Sequence, residues 1–167
     1  MPEIVHRVET AYVGLSRVVR VDSFAEIADQ LPPLISWLQE QGVEPADAPF
    51  LRYLTFFEDG RIHVEAGVPV DVPVDVGDTP YSCGALPAGR YVAEVHVGSF
   101  EGLADATARA LEWGSEQGLA WDRDAAPGQE SWGCRLEAYE ADPLREPDPS
   151  RWRTRVLLRL AQPPQAR

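Results

Sequence analysis

The sequence of 167 residues predicts an α+β fold: duplicated β-α-β-β units with pseudo-twofold symmetry, forming an antiparallel sheet with two main helices on one face and a central groove. Three observations predict it. A segment of twenty residues recurs at an offset of 76, strand-like runs flank both copies in the same order, and a stretch rich in Pro, Gly and Asp joins the two sets. The chain is thus expected to form one domain over 1–167, with a first repeat at about 5–71, a linker at about 72–88 and a second repeat at about 89–162.

The recurring segment pairs SFAEIADQLPPLISWLQEQG (Ser23 to Gly42) with SFEGLADATARALEWGSEQG (Ser99 to Gly118) without a gap. Identities at Ser23/Ser99, Phe24/Phe100, Ala28/Ala104, Asp29/Asp105, Trp37/Trp113, Glu40/Glu116, Gln41/Gln117 and Gly42/Gly118 run through the whole window, a spread that points to duplication. Each copy reads as a helix with a Ser able to cap its start, apolar residues at helical spacing and a Gly placed to end it in the left-handed region. Ser23 and Glu26 fit a capping box. Pro32 and Pro33 obstruct a continuous first helix, so a short lead-in turn and a main helix from near Pro33 are expected, whereas the second helix should run unbroken.

The flanking runs follow in order. TAYVGLSRVVRV precedes the first helix, and FLRYLTFF and RIHVEAGVPV follow it, joined by the turn signal EDG. The linker DVPVDVGDTPYSCGALPAG is expected to have no structure of its own. GRYVAEVHVG precedes the second helix, and WGCRLEAYEA and RWRTRVLLRL follow it, while DRDAAPGQE reads as a solvated loop at the mouth of the groove. With both helices over one face of the combined sheet, the other face is expected to line the groove.

A formal charge of -12 and a pI near 4.6 set the surface against nucleic-acid phosphates and anionic lipid, so neither nucleic acid nor membrane is expected as a partner. All the basic residues are Arg, a coding bias without functional weight. No run approaches the ~20 apolar residues of a membrane span, and MPEIVHRVET lacks the apolar centre of a signal peptide, which predicts a cytoplasmic protein. Cys83 and Cys134 stand apart, without CxxC or nearby His, so buried or half-buried free thiols are expected and no metal or cofactor.

The segment CRLEAYEADP (Cys134 to Pro143) carries the main functional question. At the strand period of two, Cys134, Leu136 and Ala138 share one face, and Arg135, Glu137 and Tyr139 the other. The first set is core. Glu137 is then either a wet carboxylate, alone or paired with Arg135, or part of a binding surface, and periodicity leaves both readings open.

Taken together, GVEPADAPFLRYL, EAGVPV, LPAGRYVAEVHVGSFEGL, LEWGSEQGL and EAYEADPLREPDPSRWRT resemble the GyrI-like effector-binding domains, which also form the ligand-sensing half of multidrug-responsive transcription activators. The resemblance covers nearly the whole chain. It implies the duplicated fold inferred above, with a groove between the halves for bulky aromatic, often cationic, molecules. It also implies an acidic residue on the groove floor, at Glu137, and an aromatic on the last strand, at Trp152. Two departures stand out: Leu136 where many members carry an aromatic, and LLRLAQ where a Pro commonly ends the last strand. With no helix-turn-helix or basic region in the sequence, a stand-alone binder is expected.

Desolvation disfavours a charged carboxylate on an apolar floor unless a cation or donors stand nearby, and aromatic faces add cation-π attraction. Glu137, Tyr139 and Trp152 therefore form the expected ligand-binding set. Tyr53 and Phe57 share a parity and join it, with Leu54 and Phe56 then facing the core. Trp37 and Trp113 occupy equivalent helix positions and read as core first and pocket second. His6, His63 and His96 are scattered, with no nucleophile pattern. The expected partner is a small aromatic molecule, as a sequestered compound or as a signal for an unseen protein partner; regulation of a topoisomerase is a third class. Some stand-alone members of the family resemble hydrolases that open cyclopropane rings of DNA-alkylating indole compounds, an alternative in which Glu137 guides the attacking water.

Overall fold

The structure is a computed structural model that describes residues 1–23, 25–142 and 145–162. Phe24 of the repeat and Pro143 and Leu144 of the strand motif lie outside the described residues. The elements are β1 (Glu3–Arg7), β2 (Thr10–Arg20), a one-turn α1 (Ala25–Ala28), α2 (Leu31–Glu40), β3 (Phe50–Phe57), β4 (Arg61–Pro69), β5 (Ser82–Leu86), β6 (Gly89–Val97), α3 (Leu103–Glu116), β7 (Arg123–Ala126), β8 (Gln129–Trp132), β9 (Arg135–Tyr139) and β10 (Arg153–Arg159). The strands join one antiparallel sheet in the order β1-β6-β10-β9-β3-β4-β2-β5, with the β7/β8 hairpin attached to β3. The inner six strands read the same from either end once β2, β4 and β3 are exchanged for β6, β10 and β9, so β3 and β9 form the junction between the two β-α-β-β sets.

Both main helices end in the same way. Gly42 and Gly118 take φ of 76° and 73°, the left-handed conformation that spares glycine a Cβ clash. Val43 and Leu119 then donate back to the Leu38 and Gly114 carbonyls, at 2.9 and 3.0 Å, the longer of the two hydrogen bonds of a Schellman motif. The starts differ from expectation. The Ser23 hydroxyl turns to the Asp22 carboxylate, and Ser99 makes no side-chain cap. The two prolines sit in the first turn of α2, where a missing N–H costs nothing, so the helix begins at Leu31 rather than Pro33. The second helix is broken at its start, where a 3-10 turn at Phe100–Gly102 precedes α3.

Further corrections concern strands. Part of the linker forms β5, which pairs with β2; Gly84 lets the Tyr12 ring lie against the strand, since a Cβ there would meet Tyr12 Cζ at 2.7 Å. Glu3–Arg7, outside the strand-like runs named above, adds an edge strand to β6. DRDAAPGQE is mostly hairpin, turning at Gly128 with φ 78°. Cys134 is buried as expected, but Cys83, on the edge strand, is exposed.

The helices lie on one face. Leu31, Leu34 and Leu38 of α2 pack on Leu51, Val64 and Val68, and the small residues Ala106 and Ala110 bring α3 close to Val92, Val156 and Leu158. The opposite face is closed, not grooved. Tyr12, Phe50, Leu86, Tyr91, Leu136 and Leu157 form one cluster that draws in residues near both sheet edges, so the sheet curls around its own side chains. A cavity of only about 30 Å³ remains beside Phe50, Leu136 and Ala138. Small-molecule sites run to roughly 300 to 1,000 Å³.

Candidate functional site

Register fixes the face on which Glu137 lies. Leu51 of β3 and Val156 of β10 stand directly opposite it on neighbouring strands, one in the α2 core and the other in the α3 core. Glu137 therefore lies on the helix-bearing face, at the junction of the two sets and between their helices. The expectation that the groove lines the helix-free face is corrected: the crossovers through α2 and α3 both return over the Glu137 side.

The carboxylate is held by two phenols. The Tyr53 hydroxyl donates to Oε1 at 2.6 Å, and the Tyr139 hydroxyl lies 3.3 Å from Oε2. Burial holds the Glu137 carboxyl above the usual carboxylate range, and the two hydroxyls, then Arg135 and His96, offset only part of that cost. Burial also raises the Tyr53 and Tyr139 hydroxyls well above the usual phenol value, so both remain donors. Glu137 is thus neither a wet residue nor simply an Arg135-paired one.

A second layer of aromatics covers this floor. Phe100, in the 3-10 turn before α3, sets its ring 5.4 Å from Tyr139 and 4.7 Å from Trp152, and 42% of it remains exposed. Trp152 is fixed by its indole N–H, which donates to the Glu146 carbonyl at 2.8 Å. His96 shares the face through its pairing with Thr154, itself opposite Tyr139, and its Nε2 lies 2.7 Å from the Ser99 carbonyl, which ties down the approach to Phe100.

On the other side of Glu137 is Arg135. Its guanidinium lies 4.6 Å from the centre of the Phe56 ring, 5.2 Å from Trp132 and 6.0 Å from Tyr53. An irregularity between Tyr53 and Thr55 brings Phe56 there: one extra residue flips the parity, so Phe56 joins Tyr53 on the helix face, with ring centres 5.9 Å apart. Phe57, expected beside Tyr53, is turned to the opposite face under the Arg61 guanidinium. It borders an open depression of about 300 Å³ that Phe56 also lines.

Of the expected residues, the structure brings Glu137, Tyr139, Trp152 and Tyr53 together. Trp37 packs against Tyr81 at 5.1 Å and Trp113 against the α3 core, which leaves both in helix packing. Sequence reasoning missed Phe56, Phe100 and Trp132 as partners in this cluster. Phe100 carried a signal, its identity with Phe24 in the repeat; Phe56 carried none. Glu94, a second buried acid on this face, faces Arg109 at 3.8 Å. Among the described residues no group of three or more His, Cys, Asp or Glu is placed to hold a metal ion, and no helix is long and apolar enough to cross a membrane.

A curled antiparallel sheet with two helices on one face is the fold of a small-molecule-binding domain family. The chain belongs to the GyrI-like small molecule binding domain family, whose model matches residues 1–161. Solved structures agree in fold. The EcmrR C-terminal domain superposes with a TM-score of 0.78 at 15% identity, covering 98% of both chains. In the EcmrR-DNA complex the TM-score is 0.76 at 14% identity, and the match covers 98% of this chain but only 58% of the EcmrR chain. SAV2435 bound to tetraphenylphosphonium gives 0.67 at 9% identity over 96% of this chain and 94% of that one. A hydrolase from Listeria innocua gives 0.63 at 16% identity over 96% and 91%. No curated protein matches the chain.

Proposed function

We propose that the protein is a cytoplasmic binder of lipophilic aromatic small molecules, acting as a sensor or by sequestration, with Glu137, Tyr53 and Tyr139 as the polar floor of the site and Phe100, Trp152 and Phe56 as its walls. The observation that carries this reading is the desolvated Glu137 carboxyl, held between two phenols and ringed by aromatic side chains. A folding core alone has little use for such a group, because burying a carboxyl without full compensation costs stability. An aromatic ligand that brings a hydrogen-bond donor, or a weakly hydrated cation gaining about 0.5 to 2 kcal/mol from each free aromatic face, compensates it, and the tetraphenylphosphonium on SAV2435 puts a cationic dye in the first panel beside neutral ones. The partly exposed Phe100 ring is the natural point of entry. The two β-α-β-β sets are read as a pseudo-twofold pair within one domain, with the site on the β3/β9 seam.

Titration with a panel of flat aromatic dyes, followed by tryptophan fluorescence, tests the reading. Saturable one-site binding that weakens in Tyr139→Ala supports it, and a wild-type protein that binds nothing across the panel rejects it.

A second reading rests on the same carboxyl. A glutamate whose proton affinity is raised by burial is suited to general-base work, and the Listeria innocua neighbour is a hydrolase. In this reading Glu137 takes a proton from a water as its oxygen bonds to a cyclopropane carbon. The broken C–C pair passes into the conjugated ring system, which takes up a proton in turn.

A further inference from the structure

Arg135 gives the site a charge of its own. It precedes Glu137 by two residues on the same face of β9 and lies over Phe56, Trp132 and Tyr53, the last of which also donates to Glu137. No ion pair holds its guanidinium among the described residues. Aromatic faces around a cation, beside a carboxylate, are the arrangement by which a protein attracts an organic cation. Here the protein's own guanidinium already takes that place.

A second cation entering this face meets a like charge in a partly desolvated site, where screening is weak, and gains less from rings that Arg135 already covers. A neutral planar molecule meets no such penalty. Its ring can stack on the guanidinium plane, an acceptor atom can take a guanidinium N–H, and a donor can reach Glu137. Resting on the small-molecule reading above, we infer that Arg135 is a specificity-determining residue and that the site selects uncharged planar aromatics bearing a hydrogen-bond acceptor over permanent organic cations. The depression of about 300 Å³ that shares Phe56 with this cage provides room for such a ring system to extend outward.

The test compares two tricyclic fluorophores of similar shape: acridone, neutral with a carbonyl acceptor and an N–H donor, and 9-aminoacridine, a cation at neutral pH. Wild type is expected to bind acridone roughly tenfold more tightly, and Arg135→Gln to abolish or invert that ratio. Arg135→Lys keeps the charge and is expected to keep the rejection of the cation, which guards against a glutamine variant that fails to fold. If wild type binds both dyes and prefers the cation, or if the ratio is the same in all three proteins, Arg135 does not set specificity while the binding reading stands. Binding of neither dye to folded wild type, together with silence across the wider panel, overturns both.

Discussion

Tyr53 and Glu137, 84 residues apart in sequence, meet in a 2.6 Å hydrogen bond across the seam between β3 and β9. The bond joins the two β-α-β-β sets at the candidate site. Tyr53→Phe removes the donor and leaves a buried oxygen short of a partner. A bond to a charged group is worth about 1.5 to 3 kcal/mol, and a loss of this size is expected in urea unfolding at neutral pH. The loss should shrink in acid, where the carboxyl is protonated. An unchanged midpoint at neutral pH counts against the bond.

The same carboxyl makes stability depend on pH in a definite direction. Burial raises the folded-state value of Glu137 above its ordinary 4.5, so the native protein holds this proton more tightly than the unfolded chain. Its contribution is full below the unfolded value and lost as pH rises through the folded one. Glu137→Gln stays neutral throughout. Its melting temperature is therefore expected to gain on wild type between pH 4.5 and neutrality, measured in parallel scans. A gap that is flat over this window contradicts the raised value.

The closed face makes a separate prediction at Gly67. It pairs with Phe50, and an added Cβ would lie 2.5 Å from Phe50 Cζ. Phe50 is 1% exposed and wedged edge-on against Tyr12 at 5.2 Å, and the cavity of about 30 Å³ beside it is too small to take a displaced ring. Gly67→Ala should cost about 1 to 3 kcal/mol by overpacking, and Phe50→Leu in the same chain should recover part of that loss. Additive effects of the two changes in denaturant titrations would show that they do not touch.

Much of this was legible in the sequence, and the failures share a cause. Period two placed Arg135, Glu137 and Tyr139 together because alternation is a local property of strands. The repeat gave both helices and both glycine stops. What local patterns could not give was the outcome of distant contacts. The strand at Ser82–Leu86 exists because Gly84 fits the Tyr12 ring, a partner some seventy residues away. The irregularity after Tyr53, which exchanges Phe57 for Phe56, has no residue signature of its own. Periodicity also says which residues share a face without saying which face the helices cover, and so Glu137 was expected on the helix-free face.

The last prediction separates binding from catalysis at Glu137. Glu137→Gln keeps the volume and most of the hydrogen bonding to Tyr53 and Tyr139, but removes the negative charge and the basic oxygen. If the carboxylate serves only to hold ligands, affinity for a cationic aromatic should fall by about 1 to 3 kcal/mol while a neutral one binds nearly as before. If it activates water, a cyclopropane-bearing indole substrate should still bind, but its turnover should drop by roughly 10² to 10⁴, the usual contribution of a general base. Tyr53→Phe sharpens the distinction. Losing its donor pushes the carboxyl further up, so an activity that depends on ionised Glu137 should shift its pH profile to higher pH, whereas binding of a neutral ligand should keep a flat profile. A glutamine variant unchanged in both affinity and turnover would remove Glu137 from the site and leave the Tyr53 contact a purely structural bridge between the two halves.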